Sequence, residues 1–147
     1  MTIKRIPGVK TGLVAGNFDV IHPGYVKLFE DAKTNACNYL IVALQGDPTI
    51  ERPHKCKPVQ SVEERKYILE SIRHVDEVVH YNTEKELLEI VKNFEYDVRI
   101  IGSDYKNIEF TGKSLEKEVY YHERCHDYSL TDLKKRITEQ MVAQSKG

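Results

Sequence analysis

The sequence predicts an α/β domain, a doubly wound five-stranded parallel sheet with helices on both faces. Short apolar runs alternate with helix-sized segments along the 147 residues, a pattern typical of parallel sheets with right-handed crossovers. The run over residues 39–46 is continuously apolar rather than alternating, as expected for a strand covered on both faces. The length suits one domain, residues 1–147, because two domains would each have a very small core.

The strands are expected over residues 12–16, 39–46, 76–81, 97–102 and 118–123, because each is a short run rich in β-forming residues. The helices between them have start signals. Pro23 suits the first helical position, and Ser61 and Thr83 each precede a glutamate by three positions, the spacing of a capping box. The last segment places Leu130, Leu133, Ile137 and Met141 on one helical face.

The composition excludes several classes of binding partner. Lys and Arg number 22 against 23 Asp and Glu, so no net field attracts nucleic acid. The longest apolar run, residues 39–44, is too short to span a bilayer, and residues 1–10 lack the apolar segment of a secretory signal. The three cysteines have unrelated spacings, which does not indicate a disulfide framework. We expect a reduced, cytoplasmic protein without nucleic-acid or membrane partners, and with flexible ends at residues 1–10 and 143–147.

The best candidate for a binding site follows the first predicted strand, in the stretch GNFDVIHPGY at residues 16–25. In open parallel sheets, ligands bind outside the carboxyl ends of the strands, where the strand order reverses. Gly16 lets the backbone approach a ligand, and the helix after Pro23 offers free N–H groups and a positive dipole end. His22 could donate to a phosphate oxygen, although a histidine at this place is more often only a cap. The end of the fourth strand, 102–104, would open onto the same crevice.

Two other stretches carry candidate anion-binding groups. Residues 51–60 are a basic loop between two prolines, and such a loop is either ordinary solvated surface or a mobile element that closes over phosphates. In residues 122–133, Arg124 follows the fifth strand and Ser129 precedes the last helix. A cap hydroxyl beside an arginine would make a second phosphate cradle.

Together these stretches resemble the cytidylyltransferases of the glycerol-3-phosphate cytidylyltransferase type, within the wider group of nucleotidyltransferases marked by His-x-Gly-His. Residues 16–25 are similar to the family's G-x-F-D-x-x-H-x-G-H, and residues 61–79 look like its second helix. IIGSDY at 100–105 resembles the end of its fourth strand, and HERCHDYSLTDLKKRI at 122–137 resembles its R-T-E-G-I-S-T-T segment. The resemblance runs from about residue 14 to residue 137 and implies a Rossmann-like fold and a homodimer.

The resemblance also implies a reaction. A phosphate or phosphonate oxygen of a small acceptor, such as a polyol phosphate, would attack the α-phosphorus of CTP, and pyrophosphate would leave. Such a reaction needs alignment and charge neutralisation more than covalent chemistry. Mg²⁺ is expected to be held mainly by the phosphates, so no metal site of the protein's own is predicted.

Residue roles follow from the same resemblance. Catalytic roles are implied for His22, Lys55, Lys57 and Arg124. Nucleotide-binding roles are implied for Gly16, Asn17, Phe18, Asp19, Gly24, Tyr25, Asp47, Gly102, Asp104, Ser129 and Thr131. Arg65 and Arg73 match arginines that could receive the acceptor's phosphate, although Arg65 could equally form a surface ion pair.

The sequence departs from the family pattern at several positions. Tyr25 replaces the second histidine of the signature, Asn17 a small or hydroxyl residue, and Leu130 one hydroxyl of the last motif. Three interpretations stay open. One is a cytidylyltransferase modified at Tyr25, and a second is an adenylyltransferase that uses ATP, because the sequence does not fix the choice of base. The third, favoured by Tyr25 and the altered last motif, is a nucleotide-binding protein without turnover. The ring of Tyr25 could also serve only in packing. His122 and the nearby Cys125 and His126 suggest zinc, but no second ligand group has a suitable spacing.

Overall fold

Five parallel strands form one sheet in the order β3-β2-β1-β4-β5, in a computed structural model that describes residues 3–146. The strands are β1 (Thr11–Gly16), β2 (Tyr39–Gln45), β3 (Glu77–Tyr81), β4 (Val98–Gly102) and β5 (Val119–His122). The helices are α1 (Pro23–Asn35), α2 (Val62–Glu70), α3 (Glu84–Asn93) and α4 (Leu130–Lys146). The predicted fold class is confirmed, and each predicted strand lies within one residue of its observed bounds.

The predicted helix caps are present. The Ser61 side chain accepts from the N–H of Glu64 while the Glu64 carboxylate accepts from the N–H of Ser61, so α2 has a complete capping box. Thr83 caps α3 by accepting from the N–H of Glu86. Ser129 accepts from the N–H of Asp132 at 3.1 Å at the start of α4. Local sequence therefore determines where these helices begin.

Hydrophobic cores lie on both faces of the sheet, because alternate residues of each strand point to opposite sides. On one face, Val14 of β1 packs in a cluster with Phe29 of α1 and Leu69 of α2. On the other face, Leu13 packs with Leu87 and other apolar residues of α3. The sheet is therefore doubly wound.

The two strands that flank β1 pair with it over different lengths. Pairing with β2 continues to Gly16 opposite Leu44, whereas pairing with β4 ends at Val14 opposite Ile100. Because β1 and β4 separate beyond this point, a crevice opens at their carboxyl ends. This is the predicted switch point, and the loops after β1 and β4 both border it.

The structure describes parts of the two end segments that the sequence predicts to be flexible. Ile3 packs against the α3 side of the core, and its carbonyl accepts from the N–H of Glu95 at 2.7 Å. Arg5 forms an ion pair with Asp97 at 3.2 Å. Residues 143–146 belong to α4, while residues 1, 2 and 147 lie outside the described residues.

Helix α4 packs less than its pattern predicts. Ile137 and Met141 are 49% and 64% exposed, so the apolar face meets the rest of the domain only near the start of the helix. The three cysteines are free, as expected. Among the helices of residues 3–146, none is both long and apolar enough to cross a membrane.

Candidate functional site

The corner after β1 has a strained backbone. Phe18 and Val20 have φ values of +44° and +48°, in the left-handed region that residues with bulky side chains rarely adopt. The Phe18 ring holds the corner by packing 5.3 Å from the rings of Tyr25 and Phe29, and it is 4% exposed. The predicted nucleotide role of Phe18 is therefore wrong for its side chain, which belongs to the core. The same ring would lie 3.1 Å from a Cβ on Gly16.

Asp19 also points into the protein. It is 1% exposed, and its carboxylate accepts from the backbone N–H groups of Val59 at 2.7 Å and Gln60 at 3.0 Å. It therefore attaches the end of the basic loop, residues 51–60, to the strained corner. The prediction that Asp19 lines a nucleotide pocket is corrected, because backbone amides of the protein already occupy both carboxylate oxygens.

Arg65 is a structural residue of the same region. It is 1% exposed and donates to the carbonyl oxygens of Asn17 and Gln45 at 2.7 Å, of Gly46 at 2.5 Å and of Gln60 at 3.1 Å. These bonds join the corner after β1, the end of β2 and the basic loop. Arg65 is therefore neither an acceptor ligand nor part of a surface ion pair, and both predictions for it are wrong. Asn17 takes part through its carbonyl.

Arg73 lies at the wrong edge of the sheet for the predicted role. It is exposed, and it falls between the end of α2 and the start of β3. All five strands are parallel, so the amino end of β3 is at the opposite edge from the crevice. The structure therefore places Arg73 away from the crevice.

His22 is the N-cap of α1. Its Nδ1 accepts from the N–H of Gly24 at 3.0 Å, so in the neutral ring the proton is on Nε2, which remains free to donate. Burial lowers the pKa of His22, and the charges of His126 and Arg124 lower it further. The ring of Tyr25 stacks on the imidazole at 4.1 Å between centroids. His22 therefore presents a neutral donor beside the first turn of α1.

Gly24 lets two histidines approach the helix start. A Cβ at this position would lie 2.7 Å from Cε1 of His22 and 2.7 Å from Cε1 of His126. A real Cβ does not tolerate these distances, so an alanine here would displace one of the rings. The glycine is therefore needed for the packing of the site itself.

A cavity of about 240 Å³ lies beside the rings of His22 and His126, and several residues of the predicted site line it. We call it the α1/α4 cavity, because the N-termini of α1 and α4 both border it. The predicted residues that line it are His22, Gly24, Tyr25, Gly102, Asp104, Arg124 and Ser129. Two helix dipoles, a guanidinium and a neutral imidazole donor make it a site suited to an anion.

Tyr25 combines the two roles considered for it. It packs against the core around Phe29 and also lines the α1/α4 cavity. Burial raises the pKa of Tyr25, the negative charge of Asp19 adds to the rise, and Arg124 opposes it. The phenol therefore stays protonated near neutral pH and can donate a hydrogen bond.

The basic loop is exposed and lies apart from this cavity. Lys55 is exposed, and Lys57 lines a separate cavity of about 350 Å³ together with Asp47. Asp47 accepts from the N–H of Thr49 at 2.9 Å and caps a short 3₁₀ turn. Thr131 is exposed in the first turn of α4 and is not among the described residues that line the α1/α4 cavity. The nucleotide roles of Asp47 and Thr131 are thus not supported by this arrangement.

Sequence reasoning missed a paired histidine in the α1/α4 cavity. His122 lines the cavity, and its Nδ1 lies 2.6 Å from a carboxylate oxygen of Asp31. The sequence suggested only a metal role for His122, and the partner lies 91 positions away on a helix face without a recognisable motif. Within residues 3–146, no group of three or more His, Cys, Asp or Glu side chains could hold a metal ion.

A second cavity of about 410 Å³ adjoins the first, since Leu28 and Gly102 line both. We call it the β1/β4 cavity, because it extends into the crevice between those strands. Its charged residues are Arg52 and Arg99 together with Glu84 and Glu109, and Arg52 lies 3.9 Å from Glu84. Arg99 is 3% exposed and donates to the carbonyl of Thr111 at 2.9 Å. Two cavities with cationic groups therefore meet at the switch point.

Comparison with solved structures supports the fold. The chain resembles the crystal structure of a lipopolysaccharide core biosynthesis protein from Thermoplasma volcanium, with a TM-score of 0.59 at 20% identity, over 83% of this chain and 100% of that one. At this identity the likeness concerns the fold alone. It agrees with a Rossmann-like α/β domain.

Sequence comparison goes further. The chain is 37% identical to the bifunctional protein HldE of Gluconacetobacter diazotrophicus over 78% of its own length, and it spans only about a fifth to a quarter (23%) of that relative. It is 34% identical to glycerol-3-phosphate cytidylyltransferase of Bacillus subtilis, over 88% of this chain and 98% of the relative. The corresponding enzyme of Staphylococcus aureus is 33% identical over 88% of this chain and 96% of its own. The family model described as cytidylyltransferase-like matches residues 13–136. The chain therefore belongs to the cytidylyltransferase-like family.

Proposed function

We propose that the protein transfers a CMP group from CTP to a small phosphorylated acceptor of the polyol phosphate type, forming a CDP-linked product and pyrophosphate. The observation that carries this proposal is the convergence of His22, Arg124 and two helix N-termini on the α1/α4 cavity. These groups suit a triphosphate, because each of them offers a hydrogen-bond donor or carries positive charge. Family membership and the full-length relatives named for this activity support the same reaction.

In the proposed reaction, an oxygen of the acceptor's phosphate bonds to the α-phosphorus of CTP. The bond between that phosphorus and the oxygen bridging to the β-phosphate breaks, and pyrophosphate leaves with the electron pair. His22 donates from Nε2 to the α-phosphate, where charge grows in the transition state. Arg124 and the Ser129 helix start hold the leaving pyrophosphate. Mg²⁺, carried mainly by the phosphates, would neutralise part of their charge.

The acceptor is assigned to the β1/β4 cavity. That cavity adjoins the α1/α4 cavity at Leu28 and Gly102, so ligands in the two spaces would meet at the crevice. Arg52 and Arg99 would attract the acceptor's phosphate, against the opposing charges of Glu84 and Glu109 in the same cavity, in place of Arg65 and Arg73. Lys55 and Lys57 would act on the nucleotide phosphates only if the exposed loop closes. A cytoplasmic homodimer is part of the proposal, through the family resemblance.

Pyrophosphate release measured from CTP and from ATP, with a panel of polyol phosphates as acceptors, tests the proposal. We expect release that requires both CTP and one acceptor. Release with ATP and an acceptor, but not with CTP, would indicate an adenylyltransferase. Nucleotide binding without release under any acceptor would contradict turnover and leave a binding protein.

His22→Asn is the matched variant for this assay. Asparagine is among the best N-cap residues, so this change preserves the start of α1 while it removes the Nε2 donor. Loss of release in His22→Asn with an unchanged melting temperature would connect the activity to the α1/α4 cavity.

A further inference from the structure

His122 has a buried ring nitrogen without a partner. The residue is the last of β5 and is 8% exposed. Its Nε2 has no hydrogen-bond partner within the described residues, although His122 lines the α1/α4 cavity. An unpaired buried polar atom lowers the free energy of unfolding by about 1–3 kcal/mol. An unpaired nitrogen beside a cavity therefore points to a ligand that forms the missing hydrogen bond.

Asp31 fixes the orientation of the ring. One carboxylate oxygen lies 2.6 Å from His122 Nδ1, and the other accepts from Tyr120 Oη at 2.8 Å and from Asn35 Nδ2 at 2.6 Å. Burial alone would raise the pKa of Asp31, but the hydrogen bonds from His122, Asn35 and Tyr120 lower it overall. Asp31 therefore remains a carboxylate, holds the proton of His122 on Nδ1 and leaves Nε2 without a partner among the described residues.

The surroundings favour an anion at Nε2. The charged or titratable groups that line the cavity with His122 are His22 and Tyr25 of the α1 start, Arg124, His126 and Tyr128 after β5, and Asp104 after β4. Arg124 is the permanent cation of this set, and the dipoles of α1 and α4 add positive potential at the N-termini of these helices. The Nε2 lone pair of a neutral His122 ring would repel a phosphate that enters the cavity. The Nε2–H of a protonated ring would attract it. The Asp31 carboxylate contacts Nδ1 on the far side of the ring in either case.

We propose that His122 is a further ligand of the nucleotide phosphates, that its Nε2 takes up a proton as the phosphates enter, and that Asp31 positions it. The proposal rests on the proposed function for the identity of the ligand. It adds an imidazolium to the site, where Tyr25 can supply only a neutral hydrogen bond.

Titration calorimetry with CTP, in buffers of different ionisation enthalpy, gives both the affinity and the number of protons taken up. His122→Asn keeps an amide that can donate to Asp31 but leaves nothing at the place of Nε2. His122→Gln reaches that place with a neutral donor and also serves if the asparagine variant does not fold. Asp31→Asn removes the charge behind the ring, and His74→Asn, at the opposite edge of the sheet, is the control.

We expect His122→Asn to bind CTP about 10-fold to 100-fold more weakly, the range for a charge-assisted hydrogen bond, and to take up fewer protons than the parent. His122→Gln should retain part of the affinity but not the proton uptake, Asp31→Asn should lower both, and His74→Asn should change neither. Parental affinity and proton uptake in His122→Asn would overturn the inference and leave the proposed function standing. A parent that binds CTP without turnover would overturn the proposed function alone, and one that binds neither CTP nor ATP would overturn both.

Discussion

Replacing Arg65 tests whether this arginine holds the site together or binds a ligand. Arg65→Met keeps the length of the side chain but removes the donors to four backbone carbonyls, those of Asn17, Gln45, Gly46 and Gln60. Each hydrogen bond from a charged group contributes about 1.5–3 kcal/mol, but such values are not additive within one network. Breaking a buried charged network typically costs about 3–5 kcal/mol. We expect the free energy of unfolding to fall by that amount, which is roughly 6–20 °C in melting temperature for a domain of this size.

Urea denaturation followed by circular dichroism measures this change, with the slope checked for a two-state transition. Arg73→Met is the control, because Arg73 is exposed and its loss should stay within about 0.5 kcal/mol. Arg65→Lys should be intermediate, since an ammonium cannot reach all four carbonyls. If Arg65→Met kept the parental stability and raised only the KM of the acceptor, the structural role would be refuted.

His22→Ala should lower turnover by about 10²-fold or more, the scale for losing a charge-stabilising donor. It should also lower the free energy of unfolding by about 1 kcal/mol, because the helix loses its N-cap. His22→Asn should lose the turnover alone, and an active His22→Asn would remove the histidine from the mechanism. The lowered pKa of His22 means that the unfolded chain binds this proton first, so stability should fall as pH drops below about 6.5. Urea titrations of His22→Asn between about pH 7 and pH 5 should show a shallower fall. Tyr25→Phe should lose about 1–3 kcal/mol of transition-state stabilisation, and parental kcat/KM would mean that the phenol only packs. Lys55→Ala and Lys57→Ala should each lower kcat/KM, the former more, without a change in melting temperature, because the loop is exposed; a change in melting temperature alone would contradict this.

Local signals explain what the sequence could predict. Strand β2 is a continuous apolar run because both of its faces are covered, and the caps at Ser61 and Thr83 are made by side chains three residues from their partners. Such features need no knowledge of the tertiary structure. The crevice followed from the rule that ligands bind where the strand order reverses, and the sheet order confirms that β1 and β4 meet there.

The remaining features depend on contacts between distant segments. Arg65 and Asp19 are charged residues of types that are usually exposed, and only the tertiary fold shows that backbone carbonyls and amides surround them. His122 and Asp31 become a pair because β5 lies beside the helix that carries Asp31, a contact that no local pattern encodes. The family resemblance therefore suggested ligand roles for Arg65 and Asp19, and no local pattern gave a sign of a pair at His122.

Phosphorus NMR of the protein with CTP, Mg²⁺ and glycerol 3-phosphate tests the central claim most directly, because it follows the substrate, the pyrophosphate and the new diphosphate together. We predict that pyrophosphate and a CDP-linked product appear in equal amounts with the parent and do not appear with His22→Asn. Should glycerol 3-phosphate fail, another polyol phosphate of the panel takes its place. Unchanged CTP with every acceptor would contradict the claim that the α1/α4 cavity transfers a cytidylyl group.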